Sequence, residues 1–155
     1  MAETKFDLEE RLLEFAVRII RVTESMKRTR AGIQIADQLL RAGTSPYGNH
    51  GEAEGAESRD DFIHKLKVCY KELRETRRWL RLVQRVPLVA KPELLTEILI
   101  EAEELVRIFA ASIRTAEANR GKRENAQRLT FNAQRPSEKA STARTSESPV
   151  RKESR

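Results

Sequence analysis

Apolar residues recur along most of this chain in alternating steps of four and three, the spacing that keeps one face of an α-helix turned toward a partner. In the first run Leu8, Leu12, Phe15, Ile19 and Val22 form the seam. Asp7 stands ahead of it as an N-cap with Glu10 three residues on, a capping-box arrangement, and the spacing predicts a helix over about 7–25. Leu13, Val17 and Ile20 lie outside the seam and widen the apolar arc beyond the need of one intramolecular face. Part of that arc is available to another subunit.

The second run starts near Thr29, with Ile35, Leu39 and Ala42 on the seam, and meets the stretch GTSPYGNHGEAEGAESRDDF from Gly43 to Phe62. Taken alone this stretch reads as a loop. The frame nevertheless continues through Pro46, Asn49, Ala53 and Ala56, still in steps of four and three. A helix over 29–56 would be about 42 Å long and would match its neighbours, whereas one stopping at Ala42 would reach about 21 Å. Each glycine costs roughly 1 kcal/mol and an interior proline about 3, so tertiary packing has to offset them. Thr44, Gly48, Gly51 and Gly55 make a stripe of small residues beside the seam, where another helix backbone is expected to approach closely.

Ser58 and Asp61 open a third helix over about 58–86, ended by Pro87, with Phe62, Leu66, Cys69, Leu73, Thr76, Leu80 and Val83 in strict heptad spacing. Pro92 suits the first turn of a fourth helix over about 92–118, whose seam is Leu95, Ile98, Ala102, Leu105 and Phe109. Leu94, Leu99, Val106 and Ile113 thicken it. Four helices with short links imply an all-α fold, an antiparallel up-down-up-down four-helix bundle over residues 1–119. After Asn119 the apolar pattern stops, and 120–155 reads as a disordered basic tail.

Charge sharpens this division. Residues 1–119 hold 20 Lys/Arg and 20 Asp/Glu, while 120–155 hold 10 and 4, so the tail supplies the whole net charge of +6. A basic pI is therefore no nucleic-acid signature of the bundle by itself. The single cysteine, Cys69, excludes an intramolecular disulfide, and no apolar leader or span of ~20 apolar residues is present. The expected location is the cytoplasm, without membrane association.

Three segments carry a resemblance: DLEERLLEFAVRII at 7–20, IADQLLRAGTSPYGNHGEAEGAESRDDFIHKLKVCYKELRET at 35–76, and the RRWLRL that follows. They resemble the bacterial four-helix-bundle protein family, also known as the ribosomal-RNA intervening-sequence protein family, to which the accessory proteins of diversity-generating retroelements are similar. The resemblance covers about residues 6–118. Its most specific part is R-x-G-T-S at 41–45, then Asn49, Glu52, Gly55 to Ser58 and Phe62. Pro46 and Gly51 depart from its more helical residues. The resemblance implies a second helix running through this region, a homopentameric barrel, and nucleic-acid association without an established enzymatic reaction.

Candidate chemistry is sparse. On helix three His64, Lys67, Lys71, Arg74, Arg78, Arg81 and Arg85 form a continuous basic stripe opposite the seam. Guanidinium and ammonium groups on a rigid rod can neutralise successive phosphates of RNA or DNA. The competing reading is a solvated face partly neutralised by Glu93, Glu97, Glu101 and Glu104 of helix four. No aromatic residue interleaves with the stripe, so little sequence specificity is expected. The basic tail is a second candidate for polyanions, or a solubilising segment. Asn49 and Glu52 are expected to fix register and to satisfy the backbone freed at Pro46, the alternative being a polar interior site, and Cys69 to be a small core residue. No Glu-x-x-His pair, phosphate loop or Cys–base arrangement exists; Asp61 with His64, and an isolated His50, do not replace them. The chain is expected to be no enzyme and to use no cofactor or metal. Its expected partners are further copies of itself and RNA or DNA; the alternative is an interaction module docking a protein such as a nucleic-acid enzyme.

Overall fold

Three side chains set the helix starts. Asp7 accepts from Glu10 N at 3.1 Å, Thr29 from Gly32 N at 3.0 Å and Ser58 from Asp61 N at 3.0 Å, each satisfying an otherwise orphaned first-turn donor. In a computed structural model that describes residues 7–134, four helices follow: α1 (Leu8–Glu24), α2 (Arg30–Glu54), α3 (Arg59–Arg85) and α4 (Leu95–Ala133). A 3₁₀ turn, Pro92–Leu94, leads into α4. The helices form an up-down-up-down antiparallel bundle, with no strand among the described residues. No helix among them is long and apolar enough to cross a membrane.

The heptad seams make the core. Leu12, Phe15 and Ile19 of α1, Leu39 of α2, Leu73, Leu80 and Val83 of α3, and Ala102, Leu105 and Phe109 of α4 are essentially inaccessible. Each large apolar side chain buried there adds about 1.5–3 kcal/mol relative to exposure. Cys69 and Thr76 complete the α3 seam; the Thr76 hydroxyl donates to Glu72 O at 2.7 Å, so its polar atom is satisfied inside the core. Leu88 and Val89 close the lower end, where Lys27 N donates to Leu88 O at 2.8 Å and ties the α1–α2 link to the α3–α4 link.

The glycine-rich stretch is helical as far as Glu54, and Pro46 lies buried within it. The close approach, however, is at Gly43 and not along the expected stripe. A Cβ on Gly43 would stand 2.6 Å from Ile19 Cγ2, whereas one on Gly48 or Gly51 would meet nothing within 4 Å. Sequence periodicity marks both flanks of a seam alike, and α1 packs on the flank that Gly43 occupies. His50, read as isolated, is also buried. Its ring stands edge-on to Phe109 at 6.2 Å and 86°, joining α2 to α4, and its Nδ1 has no hydrogen-bond partner among the described residues.

Helix α4 corrects the expected end at 118 and the tail beginning at 120. It runs to Ala133, 39 residues in all. Loss of apolar spacing is not a helix stop. No proline interrupts 119–133, and Glu124, Ala126, Gln127, Arg128 and Leu129 are good helix formers that extend a helix already nucleated in the bundle. Residues 135–155 of the expected tail lie outside the described residues.

Candidate nucleic-acid interface

The C-terminal half of α3 gathers arginines for a simple reason: seam positions face the core, and the remaining positions of a long helix must be polar. Between residues 74 and 85 lie five arginines and one carboxylate, Glu75. That carboxylate is already occupied, accepting from Arg41 Nη2 at 2.6 Å and from Trp79 Nε1 at 3.2 Å. Arg41 also pairs with Glu72 at 3.4 Å, so one cation from α2 neutralises both acids on the inner side of α3.

Arg74, Arg77, Arg78, Arg81 and Arg85, with Leu82 and Gln84, line a surface groove of about 700 Å³. Arg74, Arg78, Arg81 and Arg85 are exposed and span about 17 Å along the helix axis. Among the described residues none of these four has an ion-pair partner. Arg81 and Arg85 stand in the last two turns of α3, where the carbonyl end of the helix favours cations and helps to hold several together.

Of the six Lys/Arg residues of the stripe, Lys67 alone has an acidic partner on α4 among the described residues, Glu117 at 2.6 Å. That contact holds the Glu117 carboxyl below the usual carboxylate range. Lys71 is exposed and has no ion pair among the described residues. The acidic face of α4 does not neutralise the stripe. Glu101 and Glu104 turn to α1, where Arg11 grips Glu101 with Nε at 2.9 Å and Nη2 at 2.8 Å and reaches Glu104 at 2.9 Å. The bidentate bond to Glu101, then that to Glu104, raises the Arg11 pKa, while burial opposes them.

Two groups escaped sequence reasoning. Arg77 lies off the heptad stripe yet lines the groove, bridged at 3.6 Å to Glu103; its spacing of four from Arg81 was the available signal. Tyr70, one turn before Arg74, carries that guanidinium over its ring at 5.5 Å, a cation–π contact that steadies the side chain. An aromatic therefore does touch the stripe, although Arg74 covers it.

The motif residues are structural. Asn49 Nδ2 donates to Ser45 O at 3.1 Å and to Ser45 Oγ at 3.0 Å, and Glu52 pairs with Lys65 across α2 and α3, raising the Lys65 pKa. The Asn49 bonds stay within α2, only the Glu52 pair crosses to α3, and neither reaches the Ala42 carbonyl that Pro46 deprives of its helical donor. Gly55 caps α2, Ser58 caps α3, and Phe62 packs half-buried against the core.

A family model described as 23S rRNA-intervening sequence protein matches residues 4–111. A search of curated proteins finds no match. Among solved structures, a protein of unknown function from the S23 ribosomal protein family of Bacteroides thetaiotaomicron is similar, with 34% identity and a TM-score of 0.64. The alignment covers 69% of this chain and 98% of that one. With its bundle and its motif stretch inside the matched span, this chain belongs to the 23S rRNA-intervening sequence protein family.

Proposed function

We propose that this protein is a non-enzymatic, self-associating helical scaffold that binds RNA or DNA through the arginine row of α3. The observation that carries the reading is the set of four exposed guanidinium groups lining one groove with no ion-pair partner among the described residues. An unpaired cation cluster binds anions with less competition than a paired one, and phosphates take arginine in two-donor geometry. The family's name refers to a ribosomal-RNA element and agrees in ligand class. Binding is electrostatic and weakly selective, because the side chains present charge and, apart from the covered Tyr70, no ring for bases.

Titrating labelled RNA against wild-type protein and against Arg74→Glu, Arg78→Glu, Arg81→Glu combined tests this. The variant is expected to lose at least about a hundredfold in affinity at low salt while keeping its helical circular dichroism. Equal affinity would sink the reading.

Self-association is supported by apolar side chains left on the outer faces of α1 and α2: Leu13 and Ile20 on one, Ile33, Leu40 and Tyr47 on the other. The resemblance to barrel-forming relatives makes five copies the expected number. The same faces favour a second reading, a module that docks a partner protein such as a nucleic-acid enzyme. A complex that survives nuclease treatment and tolerates the triple arginine substitution distinguishes it.

A further inference from the structure

Helix α4 outruns the bundle. Arg120 reaches Asp60, beside the first residue of α3, at 2.9 Å, and Arg123 still borders the α2–α3 link with Glu54, Ser58 and Phe62, so the helix beyond Arg123 has passed the end of its packing partner. Residues 122–134 are all exposed, among them Leu129 at 72% and Phe131 at 66%. A free helix of this length is marginal in water. It stands here because it propagates from the bundle and is anchored at its root by the Asp60 bond, which raises the Arg120 pKa.

The overhang also lies outside the matched family region. The family match ends at residue 111, and the Bacteroides structure is used up at 98% of its length while covering 69% of this chain. Its charge is one-sided, with Lys122, Arg123 and Arg128 against Glu124. Leu129 and Phe131, two positions apart, point about 200° apart around the helix. They make no apolar stripe, so the overhang offers no seam to a partner helix. Phe131 instead lies three positions from Arg128, where an exposed ring and a guanidinium are neighbours on the helix surface. Ring beside cation, with Arg123 a little over two turns back and about 80° round the helix, is a combination that takes an unpaired nucleotide: phosphates meet charge and a base stacks on the ring.

We infer that residues 121–133 of α4 form an arm, added by this chain to its family's bundle, that grips single-stranded segments of the nucleic acid held by α3. The inference rests on the nucleic-acid reading of α3 and adds a strand preference that α3 lacks.

The test uses full-length protein with a labelled single-stranded RNA and a duplex RNA of equal length. Phe131→Ala is expected to weaken single-strand binding at least about fivefold and duplex binding less than about twofold. Lys122→Glu, Arg123→Glu and Arg128→Glu together weaken both at least about tenfold. Thermal unfolding stays near the wild-type temperature, since all four side chains are exposed. Wild-type affinity in both arm variants, with binding still lost in the α3 triple variant, would overturn the arm and leave the α3 site standing. Equal loss for single strand and duplex in Phe131→Ala would overturn the strand preference. A drop in particle mass by light scattering in the arm variants would make the overhang an assembly contact and overturn the inference. Absence of RNA binding by the wild type would overturn both readings.

Discussion

Gly43 and Gly51 have the same side chain, sit in the same helix and carry opposite consequences. At Gly43 an added methyl meets the Ile19 side chain at 2.6 Å, while at Gly51 it meets nothing within 4 Å. Gly43→Ala is expected to destabilise by about 1–3 kcal/mol through overpacking. Gly51→Ala is expected to stabilise by about 0.5–1 kcal/mol, because alanine loses less freedom in a helix. Chemical denaturation of the two variants checks the pair; shifts of the same sign would contradict the packing described. Cys69 gives a second residue-scale test. Burial pushes its thiol up to about 12 from an ordinary 9.0, so the neutral form persists in the fold at neutral pH and alkylation by iodoacetamide waits for unfolding. Above pH 9.0 the unfolded chain releases this proton first, so the linkage subtracts stability as pH rises from 9.0 toward about 12. Native-state labelling as fast as in denaturant would contradict that burial. Cys69 was legible as a core residue because seam spacing alone placed it. Gly43 was not, because spacing does not say which flank of a seam a neighbouring helix takes.

At the scale of elements, α3 divides its labour by face. Its seam builds the core, its inner acids are held by Arg41, and Arg74, Arg78, Arg81 and Arg85 on its outer side have no ion pair among the described residues. Helices α1 and α2 have outer faces too apolar for a helix whose only partner is its own bundle, with Ile20 at 40% and Ile33 at 46% exposure. Ile20→Glu combined with Leu40→Glu should therefore lower the particle mass in light scattering toward the single-chain 17.8 kDa. A wild-type protein that already scatters at 17.8 kDa would contradict self-association. Most element boundaries were legible: Asp7, Thr29, Ser58 and Pro87 are chemical signals that act locally. The continuity of α2 through Pro46 was legible from the seam and from length matching. The end of α4 was not, because propagation from a packed helix carries residues 120–133 past the point where apolar spacing stops.

Across the whole molecule, charge is balanced in number and unbalanced in place. The bundle is neutral in sum, yet ion pairs hold Glu101 and Glu104 at the α1–α4 contact and Glu72 and Glu75 at the α2–α3 contact, while one groove carries arginine in excess. The basic stripe was legible as a helix face; the freedom of its four arginines from the α4 acids was not, since only the packed fold shows that Glu101 and Glu104 are taken by Arg11. Local excess of this kind focuses potential and attracts polyanions even when net charge does not. The most direct test is the salt dependence of RNA affinity, measured for the wild type and for the Arg74→Glu, Arg78→Glu, Arg81→Glu variant. The wild-type log K should fall linearly with log salt, with a slope of about −0.7 per phosphate neutralised on a single strand, and the variant's slope should be shallower by about 2. A flat wild-type line, or equal slopes for the two proteins, would contradict a nucleic-acid site on α3.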